Sequence, residues 1–295
     1  MLKRTLFITT PLCLSLKDNQ LVICTGQIPE MKQTIPIEDI GNVILEHQRI
    51  SITLPLLNAL SDNNVAVIIC GENYMPNAML LNLDSNTIQG EVYRTQTDAN
   101  EPLKKRLWKQ IIEAKIRNQS ALLNKLGKKG DELKAYYTNV KSGDSDNREG
   151  VAAKIYWKEM FGKDFVLNRV GESPNNMLNY GYTLLRAAVA RALMGSGLFP
   201  AFGLFHRNRY NAFPLADDIM EPYRPFVDEL VFYLYANGER ELTKQVKADL
   251  MHLFYVDAHF DKVTRPLELG LSITTASLTK CLSGVNKRIV YPMLQ

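Results

Sequence analysis

The chain has 295 residues, 46% hydrophobic and 22% charged, with a net charge of +4. That length allows two domains, each with its own core. The mild positive charge permits a nucleic acid partner without requiring one, and the ordinary composition excludes a disordered or fibrous chain.

The N-terminal third reads as short strands. Leu2–Thr9, Cys13–Lys17 and Gln20–Thr25 are apolar runs divided by Pro11 and by Asp18-Asn19, a hairpin signal. The apolar opening lacks a small-residue cleavage site, so it is read as a strand rather than a leader. Ile35–Ile37 and an alternating Gly41–Leu45 follow, then a short helix over Ile52–Ser61 and a buried strand over Val65–Cys70. The polar stretch 86–101 is read as a linker. The expected class is α+β: a β-rich domain over 1–85, a linker over 86–101 and a larger all-α catalytic domain over 102–295.

In that larger part, Leu103, Leu107, Ile111 and Ala114 recur at helical spacing and continue to Leu122 and Leu126. Lys104, Lys105, Arg106, Lys109, Lys115 and Arg117 decorate the helix, and Gly127 closes it. Further helices are expected over 148–160, 177–194, 222–237, 241–254 and 265–283, with loops at 141–147 and 168–175.

Four scattered cysteines without C-x-x-C spacing argue against zinc ribbons and dithiol redox chemistry. Together with the absence of a leader they point to a reducing cytoplasm. No apolar run reaches the length of a membrane span. P-loop, dinucleotide-binding, nucleophile-elbow and H-E-x-x-H patterns are also missing.

The densest chemistry lies in H-R-N-R-Y-N-A-F-P-L-A-D-D-I-M-E-P-Y-R-P, from His206 to Pro225. Asp218 and Glu221 fall on one face if helical. A histidine with two carboxylates suits a divalent ion such as Mg²⁺ or Mn²⁺, and Arg207, Arg209 and Arg224 suit a phosphate-bearing substrate. Each residue also has an ordinary reading. Glu149 can serve the helix dipole, Asp217 and Asp218 can cap or face solvent, and Glu221 can simply precede a helix. His259, between Asp257 and Asp261, is ranked below His206 as a surface cluster. The basic helix is either a solvated face or a DNA-tracking surface, with Arg94 a further single candidate.

Four segments carry a resemblance. They are A-K-I-R-N-Q at 114–119, R-E-G-V-A-A-K-I-Y-W around Glu149, N-N-M-L-N-Y-G-Y-T-L-L at 175–185, and G-L-F-H-R-N-R-Y-N-A-F-P-L-A-D-D-I-M-E-P-Y-R-P-F-V-D at 203–228. Together they resemble the CRISPR-associated endonuclease and integrase of the adaptation module, in the form that accompanies type II systems. The resemblance spans essentially the whole chain. It implies catalytic metal ligands at Glu149, His206 and Glu221, with Asp218 as an auxiliary acid, and Mg²⁺ or Mn²⁺ as cofactor. It implies insertion of short foreign DNA into a repeat array by transesterification. The expected DNA-binding residues are Arg94, Lys104, Lys105, Lys109, Arg117, Arg207, Arg209 and Arg224. The implied partners are double-stranded DNA (captured fragment and repeat array), a second copy joined through the β-domain, a small adaptation protein, and a type II effector nuclease. No membrane is expected. The rival reading is a structure-specific DNA repair nuclease using the same site.

Overall fold

A computed structural model describes residues 3–24, 32–206 and 208–295. The chain divides into two compact units, Met1–Thr87 and Ile88–Gln295.

The first unit holds two sheets and one helix. One sheet has the order β1 (Arg4–Ile8), β5 (Ile40–Leu45), β7 (Ala66–Cys70), β8 (Pro76–Leu80); the first three strands are parallel and β8 runs antiparallel. The other has the order β4 (Lys32–Pro36), β3 (Gln20–Cys24), β2 (Cys13–Lys17), β6 (Ser51–Ile52). Asp18 and Asn19 form the β2–β3 turn with φ of 49° and 54°. Asn and Asp tolerate that left-handed backbone, which matches strand twist. Helix α1 (Leu54–Asp62) buries Leu56 and Leu60 in a core with Leu14, Leu21, Val43 and Val67. The Gly41–Leu45 segment is not half-buried as its alternation implied: every residue of β5 is buried. A parallel strand between two neighbours is covered on both faces.

The second unit is mainly helical. Its start corrects the expected linker, because α2 (Gln89–Asp98) occupies that stretch and buries Val92 and Gln96. The Gln96 carboxamide donates to the carbonyls of Phe199 and Phe202 and accepts from Phe199 N–H, so a polar sequence is held by tertiary bonds. Helix α3 (Glu101–Lys125) is the longest element. Asn100 caps it by accepting Leu103 N–H at 2.9 Å, and Gly127, at φ 68°, ends it. Around it lie α4 (Lys134–Tyr137), α5 (Arg148–Phe161), α6 (Asn175–Gly195), α7 (Pro214–Met220), α8 (Arg224–Ala236), α9 (Lys244–Met251) and α10 (Leu267–Leu282). A one-turn 3₁₀ segment, Glu221–Tyr223, joins α7 to α8.

The unit is not all-α. A hairpin, β9 (Asp257–Phe260) with β10 (Val263–Pro266), precedes α10, so Arg265 lies in a strand and not in the final helix. The C-terminal segment pairs with it through His259 and Met293. The same segment is tied to α3: Gln110 and Asn118 side chains bond to backbone groups of Lys287, Ile289, Pro292 and Leu294. Among the described residues no helix is long and apolar enough to cross a membrane.

Candidate active site

Three elements bring the acids together. Glu149 sits in the first turn of α5, whose start is fixed by two side chains. Asn147 accepts Gly150 N–H at 3.2 Å, and the Asp144 carboxylate accepts Arg148 N–H at 2.7 Å and Glu149 N–H at 3.1 Å. A Cβ on Gly150 would lie 2.7 Å from the Asn147 amide, so glycine there serves the cap. Glu221, 4% exposed, opens the 3₁₀ turn after α7. Asp218, on α7, is fully buried.

His206 lies in the loop between α6 and α7, and Asp218 holds it. Asp218 Oδ2 accepts Leu204 N–H at 2.6 Å and Phe205 N–H at 3.0 Å. Oδ1 accepts His206 N–H at 3.2 Å and lies 2.6 Å from His206 Nδ1. Gly203 permits this approach, because a Cβ would lie 2.7 Å from the His206 carbonyl and 3.2 Å from Asp218 Oδ2. Phe205 stacks flat on Trp108 of α3 at 4.2 Å, and the imidazole meets the same indole edge-on. A proton on Nδ1 directed at Asp218 leaves Nε2 with its lone pair. The Asp218 bond raises the His206 pKa, against the opposing pull of partial burial. Asp218 is thus the holder of the loop, with both of its oxygens engaged.

Lys115 joins the two glutamates. Its Nζ lies 2.5 Å from Glu149 Oε1 and 2.6 Å from Glu221 Oε2. Arg224 Nε donates to the other Glu221 oxygen, Oε1, at 3.0 Å, and its guanidinium lies over the Tyr182 ring. Burial pushes the Glu221 carboxyl up, but Arg224 and Lys115 more than offset it and hold its pKa below the usual value. Burial likewise lowers Lys115, and Glu221 and Glu149 outweigh it to leave the ammonium raised. Arg224 therefore balances the acid cluster.

Beneath the site Asp228 of α8 accepts Tyr156 Oη at 2.7 Å and also the Tyr182 hydroxyl. Those tyrosines come from α5 and α6, so one carboxylate ties three helices together. Burial raises its pKa to about 7 against the two tyrosine bonds.

Beside His206 a cavity of about 420 Å³ is lined by Gln96, Lys104, Phe202, Asn208 and Arg209 among others. Arg209 is exposed and packs on Tyr210. Arg94, Lys105 and Arg117 are exposed, while Lys109 is half-buried and 3.5 Å from Glu113. Arg207 lies outside the described residues. Asp217 is half-buried and paired: Arg186 Nε lies 2.8 Å from it and Asn211 donates at 2.7 Å, which fixes the loop before α7.

The expected ligand set is partly assembled. Glu149 and Glu221 converge on one cation, Lys115 Nζ lying 2.5 Å from Glu149 Oε1 and 2.6 Å from Glu221 Oε2. Such an oxygen pair suits a hard divalent ion. His206 feels the Glu221 charge. Even so, among the described residues no three His, Cys, Asp or Glu side chains stand close enough to enclose an ion. Lys115 stands between the two glutamates.

The sequence matches the family described as CRISPR associated protein Cas1 over residues 6–254. The chain belongs to the Cas1 family. It is 38% identical over 263 residues to the CRISPR-associated endonuclease Cas1 of Neisseria meningitidis serogroup C (strain 8013), covering 88% of this chain and 85% of that protein. Its fold is similar to a casposase bound to integration product (TM-score 0.78, 21% identity, 97% of this chain and 92% of that one). It is also similar to a Cas6-RT-Cas1–Cas2 complex chain (TM-score 0.74, 18% identity, all of this chain and 36% of that one). Membership in this family is legible in the four quoted segments. The roles of Lys115, Asp144, Arg186 and Asp228 are not.

Proposed function

We propose that this Cas1-family chain is a divalent-metal-dependent DNA endonuclease and integrase that inserts short DNA segments into a CRISPR repeat array. The observation that carries the reading is the convergence of Glu149 and Glu221 on one cation, with His206 fixed nearby by Asp218. Glu149, Glu221 and His206 Nε2 would hold Mg²⁺ or Mn²⁺, which supplies Lewis-acid stabilisation of the charge that builds on the scissile phosphate.

The residues around them do the rest. Asp218 keeps the imidazole in the tautomer that offers Nε2. Arg224 and Lys115 balance the acids, so the pocket is not strongly anionic before phosphate arrives. Lys104 and Arg209, at the cavity beside His206, meet the DNA backbone. In strand transfer a 3′-hydroxyl oxygen of the captured duplex bonds to the target phosphorus. The target's P–O3′ bond breaks, the attacking hydroxyl gives up its proton and the departing 3′-oxygen takes one. With water as the attacking group the same geometry gives hydrolysis.

The name of the Neisseria relative supports the endonuclease reading, and the casposase fold, seen with an integration product, is consistent with strand transfer. The chain resembling part of a Cas1–Cas2 assembly supports a small adaptation partner. A homodimer, a type II effector partner and a cytoplasmic location belong to the same reading.

The test is a strand-transfer assay with a labelled duplex and a repeat-junction target, with and without the small partner protein and with Mg²⁺ or Mn²⁺. Joined product at the junction is expected. Cleavage of branched DNA without joining would favour the repair-nuclease reading instead.

A further inference from the structure

Lys115 occupies the space between the two glutamates and balances their charge, but no bond-making or bond-breaking step described above uses its ammonium. Its side chain is 10% exposed, and its Nζ contacts one carboxylate oxygen from each of two separate elements. Without it, two anions would face each other, one of them buried, which is costly. The protein has therefore filled a cation site with a cation of its own.

We propose that Lys115 is a built-in competitor for the catalytic ion: it keeps Glu149 and Glu221 paired while no ion is bound, and withdraws when a divalent ion enters. The inference rests on the metal reading of this site.

Three observations support it. First, Lys115 takes Oε1 of Glu149 and Oε2 of Glu221, at 2.5 and 2.6 Å, so it holds one oxygen of each expected ligand. Second, the two cations of the cluster differ in kind. Arg224 is bonded through Nε to Glu221 Oε1 and rests on the Tyr182 ring, so it is fixed. Lys115 is a point charge on a flexible four-carbon stem. Third, no three metal-binding side chains converge among the described residues, and the ammonium stands between two of the expected ligands. Departure of the ammonium frees one oxygen on each glutamate for an ion that His206 can then complete. The displaced charge remains beside the site, where incoming phosphate can receive it. Lys115 is in this sense a positioning residue, acting through the acids.

The experiment is a Mn²⁺ titration of the full chain by calorimetry, comparing wild type with Lys115→Met and Lys115→Arg. Lys115→Met removes the competing charge and should bind Mn²⁺ roughly tenfold more tightly, with a larger rise in melting temperature on adding Mn²⁺. Lys115→Arg should return affinity towards wild type. Equal or weaker binding by folded Lys115→Met overturns the proposal while leaving the metal reading intact. No Mn²⁺ binding by either wild type or Lys115→Met overturns both. A second readout needs no variant: amine labelling of Lys115 in the wild type, followed by mass spectrometry, should speed up when Mn²⁺ is added. Labelling that Mn²⁺ leaves unchanged contradicts the proposal even if Lys115→Met does not fold.

Discussion

Asp218 receives both the backbone N–H and the ring Nδ1 of His206, at 3.2 and 2.6 Å, on a single carboxylate oxygen. One buried acid thus sets the position, tautomer and proton affinity of the histidine.

Replacing that acid should separate these effects. Because the Asp218 bond is the main cause of the raised His206 pKa, Asp218→Asn should lower it. A protonated imidazole cannot ligate a metal, so wild-type activity should rise with pH through the raised His206 value. In Asp218→Asn the rise should move to lower pH, with strand transfer reduced about 10- to 100-fold overall. Imidazole NMR titration beside a pH–rate profile checks both. An unmoved histidine titration would contradict the assignment.

Asp228 predicts a pH dependence of stability. Its folded-state pKa of about 7 lies above its ordinary 3.8, so the folded chain keeps a proton that the unfolded chain releases. Stability from this group therefore falls as pH rises from about 4 to about 7 and levels off above. Asp228→Asn removes the titration. Urea unfolding of both proteins should show their stability difference changing across that window, and a constant difference counts against the shift.

Asn118 joins three parts of the helical unit. Its amide donates to the carbonyls of Pro222 at 2.7 Å and Pro292 at 2.9 Å, and its oxygen accepts Leu294 N–H at 3.1 Å. Asn118→Ala orphans all three buried backbone groups and should cost about 2–4 kcal/mol. Denaturant unfolding measures it, and a loss below about 0.5 kcal/mol, the scale of an ordinary surface substitution, would show that these bonds are replaced by water.

The basic helix offers a salt test. Changing Lys104, Lys105 and Lys109 to Gln should weaken DNA binding and flatten its salt dependence by about 0.9 in log–log slope for each phosphate no longer neutralised. Binding measured at several salt concentrations decides it. An unchanged slope makes this a solvated face.

Much of this architecture can be read from residue order. The Asp18-Asn19 turn, the Gly127 stop and the α3 period are local signals, and the structure repeats them. The stretch from His206 to Pro225 is recognisable as chemical because unlike residue types crowd together. What escapes depends on tertiary bonds. Helix α2 has a polar sequence and is secured by Gln96, which no periodicity reveals. The β9–β10 hairpin is too short to outweigh the helical character around it. Lys115 reads as surface charge among the other cations of α3, although it lies four residues after Ile111 and eight after Leu107, on their buried face. A lysine in phase with an apolar stripe is a signal for a buried counter-ion. Asp228 and its two tyrosines are 72 and 46 residues apart and only the fold unites them.

Glu149, His206 and Glu221 are expected to share one divalent ion. Crystals soaked in Mn²⁺ and measured for anomalous scattering test it most directly. The predicted result is one strong peak bonded at about 2.0–2.3 Å to a carboxylate oxygen of each glutamate and to His206 Nε2, with Lys115 turned away. A peak elsewhere, or none while Lys115 still bridges the two glutamates at saturating Mn²⁺, would contradict it.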